Sequence, residues 1–179
     1  MKKIAVILAL LVAVALSASA QNRYKNEIAV TYAPFSDSDL QAMLLTYIGK
    51  SISSKLQVQM PGTFGIEYFR SLGDLVSVGA IGSVYLFFSK DEGEKDFDYA
   101  NYSLMPAVKL RWYQREWFSA YSKFGFGASY LGYKEEGKKI GISFQASLLG
   151  VEVGKSLRGF VEAGVGDQGV ALVGIRYGF

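Results

Sequence analysis

The chain of 179 residues contains no cysteine and no histidine. Without cysteine it has no disulfide, no thiolate metal site and no cysteine-borne N-terminal lipid anchor. Without histidine it lacks the commonest general base and the commonest metal ligand together. No catalytic residue, metal site or cofactor is indicated. Proline is scarce, at three residues. After Leu16 no apolar run reaches the ~18 residues that a membrane-spanning helix requires. An excess of charge of either sign is also missing. Removing Lys2 and Lys3 from the 19 basic residues leaves 17 against 16 acidic ones. That balance, without a basic run, argues against a nucleic-acid partner.

What is present is glycine, at 20 residues, with twelve tyrosines and twelve phenylalanines. This profile suits many strands joined by tight turns. At the start, Met1-Lys2-Lys3 precedes thirteen apolar residues from Ile4 to Leu16, then Ser17-Ala18-Ser19-Ala20. This order reads as a secretory signal peptide over residues 1–20, cleaved after Ala20, with one domain over 21–179.

Alternation with period two marks eight strands. They are read at Tyr24–Ala33, Thr63–Ser71, Leu75–Phe88, Tyr99–Tyr113, Trp117–Tyr133, Lys139–Gly154, Gly159–Val165 and Gly169–Phe179. In the last strand Ala171, Val173, Ile175, Tyr177 and Phe179 share one face, and Leu172, Gly174, Arg176 and Gly178 the other. The connections after strands two, four and six are short, at Leu72–Asp74, Gln114–Glu116 and Lys155–Arg158. Those after strands one and three are longer, at Pro34–Gly62 and Ser89–Asp98. Two positions disturb the pattern. Pro106 lacks an N–H in mid-strand, and a bulge is expected there. In strand six the apolar phase moves from Phe144 and Ala146 to Val151 and Val153, which needs one extra residue near Leu149–Gly150.

Charge then separates the two faces. One face of the strands is apolar except for Arg70. The other collects Glu27, Glu67, Glu152 and Glu162 with Lys109, Arg111, Lys123 and Arg176. These eight are expected to form a structural network inside a closed barrel, because eight strands leave an interior only wide enough for side chains. Glu27, Arg111, Glu152 and Arg176 are expected toward the end that carries the termini, and Glu67, Lys109, Lys123 and Glu162 nearer the middle. A contact between Arg176 and Glu27 is expected. Trp112, Trp117 and Phe118, with Tyr177 and Phe179, would make an aromatic girdle at that end. Phe88, Tyr102 and Tyr130 would make a second one at the other.

With the strand number, the alternating loop lengths and the Tyr177-Gly178-Phe179 ending in place, the chain resembles the small eight-stranded outer-membrane barrels of the OmpA/OmpX type. The resemblance implies an all-β, antiparallel, up-and-down transmembrane β-barrel in the outer membrane with both termini periplasmic. It implies outer-membrane lipid as partner, and recognition of Tyr177 and Phe179 by the barrel-assembly machinery as an assembly signal. It also implies a monomer without enzymatic activity, serving envelope integrity or surface interaction through its outer loops. The alternatives are an outer-membrane enzyme acting on lipid, a small pore, or a secreted lipocalin-like barrel.

Three further motifs carry less. Gly164–Gly169 matches G-x-G-x-x-G, but a strand follows where a dinucleotide site needs a helix, so the glycines are assigned to the last hairpin turn. Leu40, Met43, Leu44, Tyr47 and Ile48 recur at helical spacing behind Ser36–Asp39, which predicts an amphipathic helix in the first outer loop. Asp91, Glu92, Glu94, Asp96 and Asp98 form an acidic loop, read as a solvated charge run with divalent-cation binding as its alternative.

Overall fold

The computed structural model describes residues 24–35, 62–91, 94–133 and 138–179. The segment read as a signal peptide, the helix expected at Leu40–Ile48 and the side chains of the acidic loop lie outside the described residues. Eight strands follow one another: β1 (Asn26–Phe35), β2 (Thr63–Ser71), β3 (Val76–Asp91), β4 (Glu94–Gln114), β5 (Phe118–Tyr133), β6 (Lys138–Gly154), β7 (Leu157–Gly166) and β8 (Ala171–Gly178). Each pairs antiparallel with the next, and β1 pairs with β8 to close the barrel. Closure gives every strand a neighbour on both sides, although β3 beyond Tyr85 and β6 before Gln145 pair on one side only.

The register converts the alternation into two surfaces. Glu27, Ala29 and Thr31 of β1 are buried, and Ile28, Val30 and Tyr32 between them are exposed. In β8, Leu172 and Arg176 are buried while Val173, Ile175 and Tyr177 are exposed. The barrel is thus polar and charged within and apolar without. A lipocalin-like barrel requires the opposite arrangement, with its large aromatics in the cavity. Not all of the interior is polar: Phe69, Ile81, Met105 and Ala107 form a buried apolar cluster on the wall of β2 to β4.

The strands depart from simple alternation at one place that the sequence suggests, in β6, and at others that it does not. Pro106 makes no bulge. It stays in register with Ala80, and the β4–β5 ladder only drops two positions between Leu104↔Ala128 and Ala107↔Gly125 without a shift. A missing N–H removes one bond but inserts no residue, so register survives. Against β5, β4 carries an extra residue at Trp112, between Arg111 and Tyr113, and against β3 another at Asp98. The extra residue of β6 is Leu148, slightly ahead of the expected Leu149–Gly150. The bulge places Leu148 and Leu149 both on the outer surface and restores the phase in which Glu152 points inward. β3 and β4 also run on through Ser89–Asp98 as a paired hairpin, up to Asp91↔Glu94, where the polar composition suggested a loop.

Gly127 stands beside the interrupted ladder. A Cβ there would lie 2.8 Å from Met105 Cα, so the missing side chain lets β4 and β5 approach. Gly127→Val should cost about 1–3 kcal/mol through overpacking. Urea unfolding in detergent should show the loss, and an unchanged midpoint would mean that β4 has room to move.

Candidate functional site: the charged interior

All eight charged residues singled out from the sequence lie inside the barrel. Arg158 joins them, so nine charged side chains are buried there. The reading of four acids against four bases is therefore corrected to four against five among the described residues. Arg158 was assigned to the turn after β6, but β7 begins at Leu157. Arg158, Phe160 and Glu162 then alternate inward as one row.

Pairing runs across the bore more than along the wall. On β1, Glu27 is held by Lys109 and Arg111 of β4 and by Arg158 of β7, whose Nη2 donates to Oε1 at 2.6 Å. On β2, Glu67 accepts from Lys123 of β5 and from Arg176 Nη2 of β8 at 2.9 Å. On β6, Glu152 accepts from Arg176 Nη1 at 2.5 Å, Arg158 Nη1 at 2.7 Å and the Ser119 hydroxyl at 2.5 Å. Glu162 accepts from Tyr121 at 2.6 Å and Ser147 at 2.7 Å, with Lys123 Nζ also at 2.7 Å.

Two corrections follow. Arg176 reaches Glu152 and Glu67, while Glu27, its expected partner, is occupied by Lys109, Arg111 and Arg158. Lys109, expected near the middle, joins the group around Glu27. The cause is geometric: period two assigns a residue to a face, whereas barrel tilt and stagger decide which residue of the opposite wall it meets.

Along the wall, like charges stand opposite each other. Lys109 is the register partner of Lys123, and Arg158 that of Arg176. Such pairs oppose strand association unless counter-ions intervene. Here the carboxylates come from other strands. Aromatic rings separate the cations further: Arg176 packs 5.0 Å from the Tyr121 ring and 4.3 Å from that of Phe160, and Lys109 lies 5.2 Å from Tyr121. The rings fit because they lie over glycines. A Cβ on Gly150 would come within 2.5 Å of the Tyr121 ring, and one on Gly174 within 2.5 Å of that of Phe160.

Toward the rim opposite the termini, the turn between β7 and β8 closes the bore. Gly166 and Gly169 take φ values of +132° and +114°, open to glycine at little cost. The turn they permit buries Gln168, whose Oε1 accepts from Lys123 at 3.0 Å and whose Nε2 donates to Glu67 at 3.2 Å. Gln145 supports it, accepting from the Gln168 backbone N–H at 2.9 Å. The G-x-G-x-x-G stretch is thus a hairpin turn that carries an inward amide. Among the described residues no cluster of acids is placed to hold a metal ion.

Outside, Trp112, Trp117, Tyr177 and Phe179 are exposed near the rim with the termini, and the Tyr177 and Phe179 rings stack at 6.0 Å. Phe118 packs edge-on against Trp117 at 6.2 Å and Tyr113 at 5.8 Å. Tyr102 and Tyr130 are exposed on the outer surface further along their strands, and the Phe88 side chain lies outside the described residues. Ala120, which has the outward phase of β5 with Phe118, is buried.

No protein-family model and no curated protein sequence matches the chain. Among solved structures it is similar to the N-terminal β-barrel domain of Pseudomonas aeruginosa OprF. The identity is 9%, the match covers 86% of this chain and 96% of that one, and the TM-score is 0.46. The likeness is one of architecture.

Proposed function

We propose that the chain is a non-enzymatic outer-membrane barrel whose interior is an ion-paired core, with its outer connections left for surface interaction or envelope integrity. The observation that carries this reading is the inverted polarity. Nine charged side chains are buried, while exposed Val30, Ile66, Leu104, Phe126, Ile142 and Ile175 cover the outside of the strands. In water that apolar surface would far exceed the few hundred Å² that a soluble monomer exposes. In a bilayer it is the expected lipid face. With cross-bore pairs in its centre and Gln168 toward one mouth, the lumen serves as packing and not as a conduit.

Two measurements test the reading. The protein should co-fractionate with outer membranes and migrate differently in SDS gels before and after boiling. Reconstituted into planar bilayers, it should give no steady conductance. Recovery in a soluble fraction would overturn the membrane placement, and a stable single-channel current would overturn the sealed core.

A further inference from the structure

The lipid face is not smooth. On either side of β5, β4 carries a bulge at Trp112 and β6 one at Leu148. Between them lies a groove of about 720 Å³, within the size range of small-molecule sites. Its floor is Ala120, and its walls include Trp112, Trp117 and Leu149. This explains why Ala120 is buried although it has the outward phase. At the aqueous end of the groove the turn supplies Arg115 and Glu116. The Arg115 Nε donates to the Tyr113 hydroxyl at 3.3 Å, and its guanidinium sits 5.9 Å from that ring. Glu116 makes no ion pair among the described residues.

The geometry points to a binding site for one phospholipid with a zwitterionic, amine-bearing headgroup. An acyl chain lies along Ala120 between the two bulges, the phosphate meets Arg115, and the ammonium meets Glu116. The occupant follows from charge complementarity: a cation and an anion, adjacent in sequence, cap an otherwise apolar groove. A second outer groove of about 710 Å³ over β1, β7 and β8 is lined by apolar side chains and glycines with Thr31 and Tyr32, without a charged residue. It offers no charge to a headgroup. The proposal rests on the membrane placement proposed above.

Trp112 and Trp117 are the two tryptophans of the chain, and both line the charged groove. Their fluorescence therefore reports its occupancy. The experiment reconstitutes the full-length protein in vesicles of unlabelled phosphatidylglycerol. A small fraction of lipid with brominated acyl chains is added, either phosphatidylethanolamine or phosphatidylglycerol. Brominated phosphatidylethanolamine should quench well beyond its mole fraction, with a preference of about tenfold over brominated phosphatidylglycerol. Arg115→Gln and Glu116→Gln, both at exposed turn positions, should each reduce that preference. Quenching in proportion to mole fraction, equal for the two headgroups, would overturn the site and leave the membrane placement intact. A preference unchanged in both variants would overturn the headgroup contacts. Absence of quenching even in fully brominated vesicles would overturn the membrane placement and the site with it.

Discussion

Glu152→Leu should destabilise the barrel by about 3–5 kcal/mol, the usual cost of removing one partner from a buried ion pair. Glu152 accepts from Arg176, Arg158 and Ser119, and Arg111 Nε lies 3.6 Å away. Its loss leaves five buried bases facing three buried acids. The test is a double substitution. Adding Arg176→Met should recover part of the loss, because replacing a whole buried pair with apolar side chains of similar size is often nearly neutral. Recovery should be partial, since Arg176 also serves Glu67 at 2.9 Å. Equilibrium urea unfolding of the four proteins in lipid vesicles measures the coupling. Strictly additive losses would mean that Arg176 and Glu152 do not depend on one another.

Ile66→Arg should cost about 2–4 kcal/mol when folding is measured into vesicles, whereas Leu157→Arg should cost no more than about 1 kcal/mol. Ile66 is exposed in the middle of β2, and the nine residues of that strand are about the length needed to cross a bilayer. Leu157 is equally exposed but begins β7, beside the rim with the termini. Both substitutions put a cation on the outer surface, so the difference isolates depth. On a soluble protein both would fall within about 0.5 kcal/mol of neutral. Equal effects at the two sites would therefore remove the lipid face.

Alternation made the strands and their inward faces legible, because side-chain direction has a strict period of two in an extended chain. It did so for Glu67 and Arg176, each flanked by exposed apolar neighbours, and for Glu27, which is followed by exposed Ile28. What escaped was of three kinds. Arg158 was hidden by Gly159, which looks like turn chemistry but sits in a strand. Trp112 was hidden because a bulge directly after Arg111 leaves Trp112 and Tyr113 both outward, which resembles a strand simply ending. The hairpin through Ser89–Asp98 was hidden by its polar composition, which carries no period-two apolar pattern to mark a strand. Gln168 had no sequence signal apart from the two glycines that let its turn fold inward. The partners across the bore were illegible for a different reason. Local pattern fixes the face of a residue but not the neighbour it meets through the lumen.

The distribution of these charges along the chain bears on how the barrel can form. Three of the four hairpins carry a net interior charge by themselves. Among the described residues, β1–β2 brings Glu27 and Glu67 to the interior, β3–β4 Lys109 and Arg111, and β7–β8 two arginines with one glutamate, while β5–β6 holds one of each sign in Lys123 and Glu152. Their counter-ions are remote in sequence: Arg158 meets Glu27 across 131 residues, and Arg176 meets Glu67 across 109. A half-built sheet therefore holds repelling neighbours and unneutralised carboxylates. Only when the first strand meets the last do most of these charges find partners, so the network ties ion pairing to cylinder closure and penalises partial intermediates.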